Sequence, residues 1–178
     1  HDTTSKHKAF HVQVIAAEMF LHLLINGKET LGDLDIFLRR IWLECCGHMS
    51  SFKVKAKEYD YDWDATEFGE SKKQAVSQVF AKGLVLDYQY DFVSTTPLTI
   101  KATNEYNIHV PEGILLLSRN EPLPILCHAC QKQAAVEICS VHMYYDASFF
   151  CKSCAKKHAK TCEDFADYAA MPVVNSPR

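Results

Sequence analysis

The feature that most constrains this chain is the spacing of its cysteines and histidines near the C-terminal end. They arrive in pairs: Cys127-x2-Cys130, Cys139-x2-His142, Cys151-x2-Cys154 and His158-x3-Cys162. A two-residue gap lets one tight turn bring both side chains onto a single ion, and a second pair closes the tetrahedron. Four pairs supply eight ligands, enough for two zinc ions and for one at minimum. The expected assignment places Cys127, Cys130, Cys151 and Cys154 on the first ion and Cys139, His142, His158 and Cys162 on the second. That order interleaves the pairs as a cross-brace. Sequential pairing stays open on spacing alone, as does a surface role for His142 that would leave one zinc. His128 falls outside the ligand set, because its neighbours already make the turn. Four protein ligands per ion close both sites, so the zinc is expected to be structural. Glu137 and Asp146 are carboxylates on the same segment, but nothing in the sequence links either to a metal-bound water.

Six of the eight cysteines lie between 127 and 162, and the other two, Cys45 and Cys46, are adjacent. Disulfide-dense secreted proteins spread cysteines across loops, whereas paired CxxC spacing is metal spacing. A reducing, cytoplasmic compartment is the expectation. No apolar run approaches the roughly 18 residues that span a bilayer, so no membrane partner is expected. The opening stretch, residues 1–9, is polar, lacks the apolar centre of a secretory signal and is expected to be flexible.

Upstream of the cysteines the hydrophobic patterning predicts an α+β domain over residues 10–120, an antiparallel sheet packed against one main helix. His11 to Ile15 alternates weakly and the run Ala16 to Ile25 is too continuously apolar for periodicity to decide; strand, turn, strand is the expectation, with Asn26-Gly27 as a hairpin-type turn. Thr30 followed by Asp33 marks a helix start, and Leu31, Leu34, Leu38, Ile41 and Cys45 recur at helical spacing. This predicts a helix over 31–45, with Trp42 in or beside the core and Gly47 as its end. Ser51 to Ala56 reads as a strand with Phe52 and Val54 inward. A short helix is predicted over 75–80. Leu84 to Phe92 and Leu98 to Thr103 alternate across a polar turn and predict an antiparallel pair. Ile114 to Leu117 reads as a further strand or a cover for the core edge.

Pro122 and Pro124 mark a boundary, so a zinc module is expected over 121–165 and a tail over 166–178. A module of this size buries little core, and metal binding supplies much of its folding energy. Between 121 and 162 five lysines oppose three acids, and six thiolates with two Zn²⁺ bring the filled module close to neutral. Lys152, Lys156, Lys157 and Lys160 still form a local basic edge suited to phosphate or to an acidic partner.

The cysteine segments Cys127-His128-Ala129-Cys130, Cys139-Ser140-Val141-His142, Cys151-Lys152-Ser153-Cys154 and His158 to Cys162 resemble the cross-braced B-box and MYND-like zinc modules. The likeness is one of design, since neither pattern is matched throughout, and it implies an interaction unit. The body resembles the plasmid pRi open-reading-frame-three-like domain family, a bacterial and archaeal group of largely unknown function. That resemblance spans roughly residues 10–118. It is carried by Thr30-Leu31-Gly32-Asp33-Leu34, by Ile41 to Phe52, and by Tyr88 to Thr96. His48 and Phe52 fall on one family segment and Tyr90, Asp91 and Phe92 on another, with Val93 where the family motif has glycine. The family's basic Trp-Arg-Arg opening is not evident around residues 15–25.

Two further groups invite chemistry. Glu44, Cys45, Cys46, His48 and Asp91 hold the residue types of a hydrolase with a cysteine nucleophile, although packing and helix-end roles account for them as well. The stretch Glu58 to Glu70 carries Asp60, Asp62 and Asp64 between aromatic residues and no basic residue. It lacks the ligand spacing of a calcium loop and sets an acidic face against nucleic acid. Three functions follow in order: a non-catalytic interaction or adaptor protein with a protein partner, a nucleic-acid-associated protein from a mobile-element context, and a hydrolase using His48, Asp91 and a nearby cysteine.

Overall fold

A computed structural model of the chain describes residues 7–43, 47–60, 70–143 and 147–177. The chain divides into two units, 1–120 with 176–178, and 121–175. The first is a mixed α+β unit. Its strands are β1 (His7–Ala16), β2 (Met19–Asn26), β3 (Ser50–Val54), β4 (Lys57–Asp60), β5 (Glu70–Ser71), β6 (Val85–Tyr90), β7 (Thr96–Ile108) and β8 (Ile114–Arg119). They form one sheet in the order β5-β4-β3-β6-β7-β1-β2-β8. Pairing is antiparallel throughout, apart from the short parallel pair of β4 with β5. The strand called for at 114–117 is therefore an edge strand.

Alternation explains the sheet. Phe10, Val12 and Val14 of β1, Leu21, Leu23 and Ile25 of β2, and Leu86, Tyr88 and Tyr90 of β6 are all buried, while Asp87 and Gln89 face out. These side chains share one core with α1 (Leu31–Leu38) and with Val76 and Phe80, at either end of the single turn α2 (Val76–Val79). The helix starts as predicted. Thr30 Oγ1 accepts from the Asp33 amide at 3.1 Å, and the Thr30 amide donates back to the Asp33 carboxylate at 2.8 Å.

In this first unit three expectations need correction. The β1–β2 hairpin turns at Ala17-Glu18, with Ala17 at φ 51°, and not at Asn26-Gly27. The latter pair leads from β2 into α1. There the Asn26 side chain donates to the Val110 and Pro111 carbonyls, and Gly27 lies so close to β1 that a Cβ would sit 2.6 Å from the Lys8 carbonyl oxygen. Tertiary packing, not hairpin chemistry, requires that glycine. The helix also departs from a regular α form: Arg39–Leu43 is π-helical. The wider turn shifts the stripe, so that Trp42 and Leu43 are buried and Ile41 is only partly so. Cys45, which was to continue the stripe, lies outside the described residues, as do Glu44 and Cys46. Finally, His7 to Ala9 belong to β1 and are not part of a flexible lead.

In the second unit β9 (Glu137–Cys139) is flanked by β10 (Phe149–Phe150) and β11 (Ala170–Pro172), and α3 (Lys152–His158) follows β10. A π-helical turn, Phe165–Ala169, precedes β11. Residues 166–175, expected as a tail, are thus part of this unit, because β11 pairs with the cysteine-bearing strand: Ala170 lies opposite Cys139.

Candidate metal centres

Each cysteine pair is shaped by its own backbone. Around Cys127 the chain folds back through a hydrogen bond from the Gln131 amide to the Cys127 carbonyl at 2.9 Å, with Gln131 in the left-handed region. Cys139 ends β9, and the His142 amide reaches its carbonyl at 3.2 Å. Cys151 is the N-cap of α3, Cys154 sits in its first turn and His158 at its last residue. One face of a short helix thus carries three ligand residues at steps of three and four. Cys162 follows one turn later, its amide bonded to the His158 carbonyl at 2.9 Å.

These turns bring the eight residues into two clusters. Cys127, Cys130, Cys151 and Cys154 have their sulfurs within 4.8 Å of one another, and Cys139, His142, His158 and Cys162 converge to the same limit. The first pair meets the third and the second meets the fourth, so the strands are cross-braced and not paired in sequence order. His128 stands apart, its Nδ1 accepting from the Ser148 amide at 3.2 Å.

The donor geometry fits a tetrahedral ion at each cluster. Zinc–sulfur bonds near 2.3 Å set sulfur–sulfur edges of about 3.8 Å; Cys130 and Cys151 Sγ are 3.9 Å apart. With Zn–N near 2.0 Å a mixed edge is about 3.6 Å, and the edges from His142 Nδ1 to Cys139 Sγ and Cys162 Sγ bracket it at 3.1 and 4.0 Å. His158 Nε2 is buried without a hydrogen-bond partner, which is the condition of a nitrogen that a metal would satisfy. Its ring is held by stacking on Phe150 at 4.3 Å and by the edge-on rings of Phe165 and His142. Burial, then the neighbouring His142, pushes the His158 pKa down, which favours the neutral ligand form.

The first cluster needs a cation to ionise fully. The Ser153 hydroxyl, then the Cys154 amide, draws the Cys151 thiol down to about 6. Burial pushes Cys127 up, but the amides of Cys151, Cys130 and Ala129 hold it below the usual thiol range. Cys154 is pushed up to about 12, first by its hydrogen bond with Cys151 and then by burial. Four packed sulfurs cannot all carry charge alone; a divalent ion removes that conflict. The two clusters are therefore each fit to bind one metal ion, and their thiolate and imidazole donors in tetrahedral array are those of structural zinc sites. All six cysteines of the unit are free of disulfides.

The other predicted residues lie in the body. His48 Nε2 is 3.6 Å from Asp91 Oδ2, and the His48 ring meets Tyr90 edge-on at 5.8 Å. Asp91 is buried at φ 62°, and its Oδ1 accepts from the Val93 and Ser94 amides at 3.0 and 3.2 Å. The left-handed residue of this turn is thus Asp91, and Val93, where the resembled motif has glycine, is fully exposed. Cys45, Cys46, Asp62, Asp64 and Asp146 lie outside the described residues.

Sequence patterning missed a buried ionic group beside this pair. Asp35, wholly buried on α1, accepts from Arg39 Nε at 2.8 Å and from the hydroxyls of Ser50 and Tyr88 at 2.6 Å each. Lys72 Nζ lies 3.5 Å away and donates to the Ser50 carbonyl at 2.6 Å. Burial brings the Lys72 pKa down to about 8 although Asp35 opposes the shift. The available sequence signal was the Asp35/Arg39 step of four on a helix face next to Leu34 and Leu38.

Fold and site together define an α+β protein with a cross-braced, zinc-type cysteine and histidine unit. No family profile and no curated protein matches the chain. Among solved structures it is similar to a protein of unknown function from Methanosarcina mazei Go1. The TM-score is 0.55 at 14% identity, covering 65% of this chain and 70% of the other. At that identity the likeness concerns the fold alone. Among the described residues no helix is long and apolar enough to cross a membrane.

Proposed function

We propose that this chain is a non-catalytic interaction protein whose C-terminal unit is a structural zinc module that docks a protein partner. The observation that carries this reading is coordinative closure. Each cluster offers four protein donors, so a tetrahedral ion there has no position left for water or substrate. Around these centres the module leaves Val136, Val141, Met143, Tyr168 and Met171 exposed, Tyr168 by 73%. Single exposed apolar residues are ordinary, but several on a unit of this size supply the aromatic and methionine anchors common at interfaces. A reducing, cytoplasmic setting fits the paired cysteine spacing, which is that of metal ligands and not of disulfides. The test is proximity labelling in cells with the full chain and with the variant Tyr168→Glu/Met171→Glu. Loss of one labelled partner, with two zincs retained, supports the reading. An unchanged partner set refutes it.

A second reading, a nucleic-acid-associated protein of a mobile-element context, is favoured by one observation. Lys152, Lys156, Lys157 and Lys160 are all exposed on α3 and the turn after it. Binding of this kind weakens steeply with salt through counterion release. Anisotropy titrations with duplex DNA and with RNA should then fall with salt and be lost in Lys156→Glu/Lys157→Glu; a flat curve counts against it. We also propose kinship of the body with the plasmid pRi open-reading-frame-three-like group, a reading supported by its motif residues, of which His48, Tyr90 and Asp91 gather in space. A hydrolase built on His48 and Asp91 would need a cysteine that lies outside the described residues.

A further inference from the structure

Outside both cysteine clusters, two histidines meet on the outer face of the body's sheet. His11 on β1 and His22 on β2 are diagonal neighbours, since His22 lies opposite Gln13 in the ladder. Their Nε2 and Nδ1 atoms are 3.0 Å apart, and both side chains are half-buried. We propose that His11 Nε2 and His22 Nδ1 form a third metal site, an open two-histidine chelate for a late first-row divalent ion such as Ni²⁺ or Cu²⁺.

Three observations carry this. The first is distance. With metal–nitrogen bonds near 2.0 Å, two imidazole donors on one ion stand about 2.9 Å apart in square-planar geometry and about 3.3 Å apart in tetrahedral geometry. The pair already holds that separation.

The second is the tautomer. Thr103 Oγ1 donates its proton to the His11 carbonyl at 3.0 Å. With its one proton on that carbonyl, the hydroxyl oxygen accepts from His11 Nδ1, 2.9 Å away. In this tautomer, which the proposed site requires, His11 Nδ1 carries the hydrogen and Nε2 presents a lone pair to His22. This is the outer-shell arrangement that orients a ligating histidine. Burial, then His22, lowers the His11 pKa, which favours the neutral donor. On metal binding His22 moves its own hydrogen from Nδ1 to Nε2, so no net proton is released.

The third is the strand ladder. The β1–β7 register shifts between His11 and Val12, which leaves Thr103 unmatched and turned to His11. The β2–β8 register shifts between His22 and Leu23, leaving Leu117 unmatched. Both histidines thus sit at ladder breaks, the device by which sheets re-aim side chains beside sites. The His22 ring is further fixed by Phe20, edge-on at 5.4 Å.

Two protein donors leave the remaining positions to water or to a bound group, so this ion would be exchangeable, unlike those in the closed clusters. The test uses the full chain already carrying its two zincs, titrated with Ni²⁺. Histidine ring resonances are followed by NMR and released zinc by a chromogenic indicator. The expected result is one further equivalent bound without zinc release, with the His11 and His22 signals broadened first. His22→Asn should abolish it. Thr103→Val, which keeps both histidines, should weaken binding on the order of 10–100-fold. Binding that is absent, that broadens other histidines first, or that is unaffected by both substitutions overturns the proposal.

Discussion

Asp35 is a fully buried carboxylate whose stability rests on its neighbours: Arg39, Ser50, Tyr88 and Lys72 surround it. Removing one member of such a group leaves uncompensated charge in the interior, so Asp35→Ala should cost about 3–5 kcal/mol, read from urea unfolding. The pH dependence has two signs. Burial alone would raise the Asp35 pKa, but Lys72, Ser50, Tyr88 and Arg39 hold it below 3.8. Its contribution is therefore complete above the unfolded value and is lost as pH falls through the folded one. Lys72 is depressed to about 8 from 10.5. The unfolded chain binds the extra proton between those values, so this group makes stability rise with pH across that window. Lys72→Met should remove the alkaline rise, and Asp35→Asn the acid loss, when unfolding midpoints are followed against pH.

At the level of elements, legibility tracked how local the determining chemistry is. The start of α1 could be read because Thr30 and Asp33 bond to each other across one turn, and Thr30→Ala should cost about 1 kcal/mol by the same unfolding measurement. The alternation of β6 and of the first half of β7 could be read because one face is buried. The π-helical stretch Arg39–Leu43 could not, since Arg39 is drawn towards Asp35, the His48 carbonyl and Ser50, partners that spacing within the helix does not reveal. Asn26-Gly27 misled for a related reason. Its glycine answers to the Lys8 carbonyl on β1 and not to a two-residue hairpin. The ligand pairs were legible because each is a single turn, whereas the third strand at Ala170–Pro172 became visible only through its pairing with Cys139. His11 and His22 gave no signal, because their meeting depends on strand register and two ladder breaks.

For the molecule as a whole, the cross-brace makes the two metal centres of the C-terminal unit interdependent, and this can be tested. The helix α3 carries Cys151 and Cys154 to one cluster and His158 to the other, and Phe150 beside it packs on the His158 ring. Half of the small cluster of buried residues in this unit is ligand cysteines, Cys127, Cys139 and Cys151, beside Phe150, Ala155 and Phe165, so little apolar packing remains once the metal is gone. Cys151→Ser should therefore lose its own zinc and also weaken the second site, because the helix that presents His158 is no longer anchored at its start. Zinc content under graded chelator competition reads this: below one zinc per chain retained at a chelator level where the native protein keeps two. Sequential, independent sites would instead retain one zinc at native affinity. Complete chelation should abolish amide protection across 121–175, since binding energy there is folding energy. The body keeps its separate core, from Phe10 to Ala102, and its slow-exchanging amides should persist under the same chelation.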